Sequence, residues 1–157
     1  MRIAVVGTGY VGLVAGTCFA ETGHSVTCVD VDEAKVQTLR RGETPIYEPG
    51  LEELLGRNIA AERISFTADL PGAVRGAEVV FIAVGTPSAH DGSADVTQVL
   101  AAAESIGRAL ARADTPSVIV TKSTVPVGTT DRVRGVIASV TTQPFAVGEI
   151  AGKRRVR

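Results

Sequence analysis

The chain has 157 residues, the size of a single domain built around one hydrophobic core. Apolar residues make up 45% and charged residues 21%, which excludes a disordered polypeptide. Lys and Arg number 16 against 17 Asp and Glu, a balance that gives no electrostatic reason for a nucleic-acid or membrane partner. No apolar run reaches the roughly eighteen residues of a membrane span, and the N-terminus enters a strand pattern directly, so the cytoplasm is the expected compartment.

Arg2 to Val6 is a short apolar run ending in Gly7, the pattern of a parallel strand buried on both faces. From Tyr10 to Thr22 small and apolar residues recur at helical spacing, and Gly23 supplies a left-handed stop. Ser25 to Val29 predicts a second strand and Asp32 to Arg41 a helix. Leu51 to Asn58 predicts another helix, after a loop containing Pro45, Pro49 and Gly50.

Ile64 to Phe66 reads as a third strand, about Asp69 to Arg75 as a helix, and Glu78 to Val84 as a central strand by its V-V-F-I-A-V composition. A loop from Gly85 to Gly92 follows, with Asp95 as the expected N-cap of a long Ala-rich helix from Val96 to Ala113. Ser117 to Thr121 is the fifth predicted strand and Gly128 to Ser139 the last helix. Beyond it the pattern weakens, so a domain over 1–140 and a poorly ordered tail over 141–157 are expected. Four of the last five residues are basic, which reads as a solvated end. Alternating strands and helices predict an α/β fold, doubly wound and Rossmann-like, with a mainly parallel sheet and helices on both faces.

Gly7-Thr8-Gly9-Tyr10-Val11-Gly12 matches G-x-G-x-x-G directly after a predicted strand and at the start of a predicted helix. Gly7 permits the tight turn, Gly9 lets the backbone approach a pyrophosphate, and Gly12 allows close packing of helix on strand, which Gly16 extends. Backbone N–H groups at the helix start form the anion site, the dipole contributing ~0.3–1 kcal/mol per charge. Asp30 lies eighteen positions beyond Gly12, at the end of the second strand. An acid there accepts hydrogen bonds from the adenosine ribose and repels a 2′-phosphate, which predicts NAD in preference to NADP. Asp32 is the expected cap of the next helix, while Lys35 fits either a solvated face or a contact to the cofactor's adenosine end.

Cys18 and Cys28 lie in apolar surroundings without C-x-x-C spacing and are expected as buried, reduced thiols, and no metal site is expected. His24 and His90 are expected as polar loop residues. The glycine turn also serves S-adenosylmethionine enzymes and flavoproteins, so by itself it does not choose a reaction.

Three further stretches are more specific: Gly42-Glu43-Thr44-Pro45-Ile46-Tyr47-Glu48-Pro49-Gly50-Leu51, Val84-Gly85-Thr86-Pro87, and Lys122-Ser123-Thr124-Val125-Pro126-Val127-Gly128-Thr129. With G-T-G-Y-V-G-L-V they make the chain, from Met1 to about Ser139, resemble the N-terminal domain of the UDP-glucose 6-dehydrogenases. The GDP-mannose 6-dehydrogenases share much of this layout, but T-V-P-V-G-T and I-Y-E-P-G-L look more like the UDP-glucose branch.

The resemblance implies a four-electron oxidation in which two NAD molecules in turn accept hydride while a sugar C6 alcohol becomes a carboxylate, the second step through a cysteine thioester. Carried over by matching motif, Gly7, Gly9, Tyr10, Val11 and Gly12 hold the pyrophosphate, Asp30 and Lys35 address the ribose, and Thr86 and Pro87 lie near the cofactor. Thr124 matches the threonine that helps position water at the reacting carbon. On the residues alone, Thr86 and Thr124 fit equally as turn caps before Pro87 and Pro126. Tyr47 and Glu48 are expected only to brace a loop.

The family pattern fades after Phe145-Ala146-Val147, where an N-P-E-F loop is expected and Gly148-Glu149-Ile150 stands instead. Neither Cys18 nor Cys28 matches the nucleophile, and Glu149 is out of register with the family's glutamate. The expectation is a truncated product, a shifted reading frame or an excised domain that binds NAD, meets UDP-glucose only in a complete enzyme, self-associates or dimerises, and has no turnover alone. A GDP-mannose 6-dehydrogenase domain and a non-catalytic NAD-binding module are the alternatives.

Overall fold

A computed structural model describes residues 1–88, 92–113 and 115–149. The strands are β1 (Arg2–Val6), β2 (Ser25–Val29), β3 (Ile64–Thr67), β4 (Val79–Ile82), β5 (Ser117–Thr121) and β6 (Phe145–Glu149). The helices are α1 (Tyr10–Glu21), α2 (Glu33–Arg40), α3 (Leu51–Ala60), α4 (Leu70–Arg75), α5 (Thr97–Leu110) and α6 (Thr129–Val140).

All neighbouring strands pair in parallel, in the order β3-β2-β1-β4-β5-β6. The chain winds outward from β1 to β3, crosses back to β4 and winds outward again, so the direction reverses between β1 and β4. Such a switch point opens a crevice at the carboxyl ends of the strands. Register fixes what meets there: Val6 pairs with Val29 on one side and Ile82 on the other, and Ile82 pairs with Thr121. The residues that follow, Gly7, Asp30, Ala83 and Lys122, therefore emerge along one edge.

Side-chain alternation along the strands feeds two cores. Ala4, Val6, Val80, Ile82 and Ile119 meet Val99, Ala103, Ile106, Val133 and Ile137 of α5 and α6. On the opposite face Ile3, Val5, Val26, Cys28 and Phe81 meet Leu13, Ala20, Leu39 and Leu55 of α1, α2 and α3. Burial of each large aliphatic side chain contributes about 1.5–3 kcal/mol. The α1 to α3 layer covers β5 only in part, at Val120, and leaves Val118 of β5 44% exposed and Ala146 of β6 exposed.

Strand β5 has the bounds expected from the sequence, and Asp32 caps α2 by accepting the Lys35 N–H at 3.1 Å. Four expectations are corrected. The long Ala-rich helix is shorter at both ends, and Asp95 is not its N-cap: Val96 holds that place, while Asp95 Oδ1 accepts from the Thr97 N–H at 2.9 Å. The central strand is likewise shorter, Val79–Ile82. Cys18 is exposed, because it lies on the side of α1 turned away from the sheet; Cys28 is buried as expected. The tail expected from 141 contains β6 at Phe145–Glu149, which lies beside β5 with Phe145 opposite Ser117. His90 and the basic end, in residues 150–157, lie outside the described residues.

Candidate functional site

The turn after β1 is built from three glycines under different constraints. Gly7 has φ +101°, and a Cβ there would sit 2.7 Å from the Ala83 carbonyl oxygen at the end of β4. At Gly12 a Cβ would lie 1.9 Å from the Gly7 carbonyl oxygen, so the first turn of α1 rests directly on the loop. Gly9 differs: its φ of −68° suits any residue, and a Cβ would meet no atom within 4 Å. It borders a cleft of about 470 Å³ lined also by Gly7, Asp30, Lys35, Gly85 and Gln98. Helix α1 opens onto that cleft from Gly9 without a side-chain cap, leaving first-turn N–H groups for a ligand.

Asp30 anchors the far end of the cleft. Its Oδ2 accepts from the Thr8 N–H at 3.0 Å, the Thr8 hydroxyl at 2.5 Å and the Lys35 ammonium at 2.9 Å. Its Oδ1 accepts from the Asp32 N–H at 3.1 Å. Burial pushes the carboxyl pKa up, but the bonds from the Thr8 hydroxyl, Lys35 and the two backbone amides outweigh it and hold the group at about 2.

The other residues singled out from the sequence are spread along the same edge. Tyr10 and Val11 occupy the first turn of α1 and are exposed, and the Tyr10 hydroxyl donates to Glu48 Oε2 at 2.6 Å. That bond and the Glu48 charge raise the Tyr10 pKa. Glu48 thereby fastens the loop between α2 and α3 across the start of α1, so its bracing is to the glycine turn itself. Thr86 is half-buried and Pro87 exposed on the loop after β4, where the Pro87 carbonyl accepts from the Asp95 N–H at 2.8 Å. Thr124 is exposed beside Ser123, whose hydroxyl donates to the Val84 carbonyl at 2.7 Å and ties the loop after β5 to the end of β4. The structure thus gathers Gly7, Gly9, Asp30 and Lys35 around one cleft, with Thr86, Pro87 and Thr124 on adjoining loops and Gly12 inside the packing.

The sequence reading does not single out two residues that shape the site, Thr8 buried behind the cleft and Gln98 on its lining. Thr8, only 1% exposed, holds Asp30; a hydroxyl at the variable position of G-x-G was the available signal. Gln98 enters from the first turn of α5, a long polar side chain at the head of an Ala-rich helix. A slightly larger groove of about 550 Å³ runs between α4 and α5, but arginines and alanines line it and the glycine turn does not border it. Among the described residues no group of three or more His, Cys, Asp or Glu side chains is placed to hold a metal, and no helix is long and apolar enough to cross a membrane.

Residues 1–150 match the NAD-binding domain of the UDP-glucose/GDP-mannose dehydrogenase family. The chain belongs to this family. The UDP-glucose 6-dehydrogenase of Pseudomonas aeruginosa is 56% identical over 137 residues, and the TuaD UDP-glucose 6-dehydrogenase of Bacillus subtilis 52% identical over 136. Each alignment covers 87% of this chain but only 30% and 29% of the respective relative, so the chain spans less than a third of their length. The crystal structure of a ternary complex of GDP-mannose dehydrogenase from Pseudomonas aeruginosa superposes with a TM-score of 0.92 at 37% identity, over 95% of this chain and 35% of that one.

The cleft of this NAD-binding domain suits the dinucleotide chemically. The space beyond Gly9 is open where a side chain would otherwise project, the start of α1 offers N–H groups to an anion, and Asp30 offers a fixed carboxylate to a diol. Neither cysteine borders the cleft, and burial pushes the Cys28 thiol up to about 12, so it stays protonated at neutral pH.

Proposed function

We propose that the chain is the cofactor-holding part of a UDP-glucose 6-dehydrogenase, the enzyme class that oxidises UDP-glucose to UDP-glucuronate. In this reading the first turn of α1, with Gly7, Gly9, Tyr10, Val11 and Gly12, receives the pyrophosphate, and Asp30 with Lys35 receives the adenosine ribose. Thr86 and Pro87 border the cofactor, and Thr124 helps position water at the reacting carbon. NAD, when bound, supplies the hydride acceptor. The observation that carries the reading is the joining of an uncapped helix start, an open Gly9 and a charged Asp30 in one cleft. The UDP-glucose branch is supported by identities of 52% and 56% to UDP-glucose 6-dehydrogenases against 39% to the GDP-mannose 6-dehydrogenase of Pseudomonas syringae.

The oxidation to the acid needs a thiolate beside the substrate carbon. No cysteine of this chain is placed for it, so we propose binding without turnover by these residues alone. Calorimetric titration of the full chain with NAD, NADP and S-adenosylmethionine tests the reading. NAD is expected to bind more tightly than NADP, with no heat from S-adenosylmethionine and no NADH formed on adding UDP-glucose. Preferential binding of S-adenosylmethionine would overturn it.

A further inference from the structure

A carboxylate offers about four acceptor positions. At Asp30 three bonds end on Oδ2, two from Thr8 and one from Lys35, and one from Asp32 ends on Oδ1. The three bonds crowd onto the two lone pairs of Oδ2, while Oδ1, with two lone pairs and one bond, keeps one acceptor position open. The Lys35 ammonium has three N–H groups and gives one to Asp30, so it has others to offer. An adenosine diol would thus be served by a pair of unlike groups: Oδ1 accepts from one hydroxyl and Lys35 donates to the other.

The charge at this end of the cleft is also mixed, since Lys35 lines it together with Asp30 and Asp32. Lys35 stands 2.9 Å from Asp30, so an incoming 2′-phosphate meets a cation as well as an anion. Exclusion of the phosphate then depends on where the carboxylate is held. Thr8 holds it, through both its amide and its hydroxyl, from inside the glycine turn that receives the pyrophosphate.

We propose that Thr8 is a positioning residue that sets the preference for NAD over NADP, by locking Asp30 Oδ2 so that Oδ1 faces the ribose and the negative charge occupies the 2′ position. This rests on the NAD-binding reading above. Without the Thr8 hydroxyl, Asp30 turns toward Lys35 and solvent, which weakens its bond to the ribose and frees the 2′ position for a phosphate that Lys35 attracts.

The test titrates the full chain and its Thr8→Val, Thr8→Ala and Thr8→Ser variants with NAD, NADP and an NAD analogue lacking both adenosine ribose hydroxyls. Thr8→Val and Thr8→Ala should lower NAD affinity about tenfold and the NAD-to-NADP ratio by at least as much, while Thr8→Ser stays within about twofold of the parent. The analogue should bind parent and variants alike. Equal losses for all three ligands, or no rescue by serine, would show that Thr8 only supports the turn and would overturn the proposal. Thr8→Ala answers the question should the larger valine fail to fold. If the parent chain does not bind NAD, the proposed function itself falls; if it binds NAD and the ratio does not move, only the role of Thr8 falls.

Discussion

Replacing Gly9 and Gly12 by alanine, one at a time, should separate ligand binding from stability within a single turn of chain. In Gly12→Ala the new Cβ would lie 1.9 Å from the Gly7 carbonyl oxygen and 3.2 Å from Ala83 Cβ. The closer atom is backbone, so no rotamer change relieves it and the loop must lift from the helix. Overpacking of this kind costs ~1–3 kcal/mol, or more where backbone must move, against ~1 kcal/mol regained from helix propensity. A net loss of about 2 kcal/mol corresponds to roughly 4–8 °C in a domain of this size. In Gly9→Ala the φ of −68° is already suitable and the Cβ meets nothing. A weaker N-cap and a less flexible unfolded chain then offset each other to within about 0.5 kcal/mol. The Cβ does enter the space assigned to the pyrophosphate, so NAD affinity should fall about tenfold or more, at least ~1.4 kcal/mol. Denaturant unfolding and NAD calorimetry on both variants supply the readout. Parent-like NAD binding by Gly9→Ala, or parent-like unfolding of Gly12→Ala, would refute the division of roles.

The folded-state pKa of Asp30, about 2, is depressed below the ordinary ~3.9, so its contribution to stability is complete above about pH 4 and is lost as pH falls from there toward 2. It amounts to about 2 kcal/mol, and urea midpoints measured across that window should fall less steeply for Asp30→Asn than for the parent; equal slopes would count against it. Among the described residues the Thr121 hydroxyl is buried without a hydrogen-bond partner. Thr121→Val should therefore stabilise by about 1 kcal/mol, read as a rise in Tm of roughly 2–4 °C, and a drop in Tm would reveal a partner for that oxygen. Val118 stands 44% exposed on the sheet face that α1 to α3 leave open, so Val118→Lys should lower the tendency to self-associate, seen by light scattering, without lowering Tm. Unchanged association would remove that face from the contact.

How far the sequence discloses this fold depends on how sharply each segment's environment is written into its residues. Strand β5, V-I-V between Ser117 and Thr121, is bounded by turn residues and reads without ambiguity. Helix α1 is YVGLVAGTCFAE, so apolar around its whole circumference that helical periodicity cannot choose a buried side: Cys18 reads as an inside position, whereas Gly12, Leu13, Ala15, Gly16, Thr17 and Ala20 are the buried ones. The boundaries of α5 blurred because the alanines beyond its end favour helix as much as those within it. Strand β6 is an edge strand paired only to β5; Phe145 and Val147 pack on the α5 and α6 side while Ala146 is exposed, too brief a pattern to register against Gly148.

The candidate site was legible where spacing encodes it and hidden where a side chain acts through another. Three glycines at fixed intervals announce the turn, yet the pattern treats them alike, while the structure packs Gly7 and Gly12 against Ala83 and the loop and leaves Gly9 open, in the space that the proposed reading gives to the pyrophosphate. Only Gly9 is therefore dispensable for folding: a chain that kept Gly7 and Gly12 and lost Gly9 would retain this sheet and helix and lose the cleft's purpose. Thr8 carries only the weak signal of a hydroxyl within G-x-G, for the complementary reason. Its neighbours in sequence say nothing of Asp30, which is brought to it only because Val6 and Val29 pair in register and set the residues that follow them side by side.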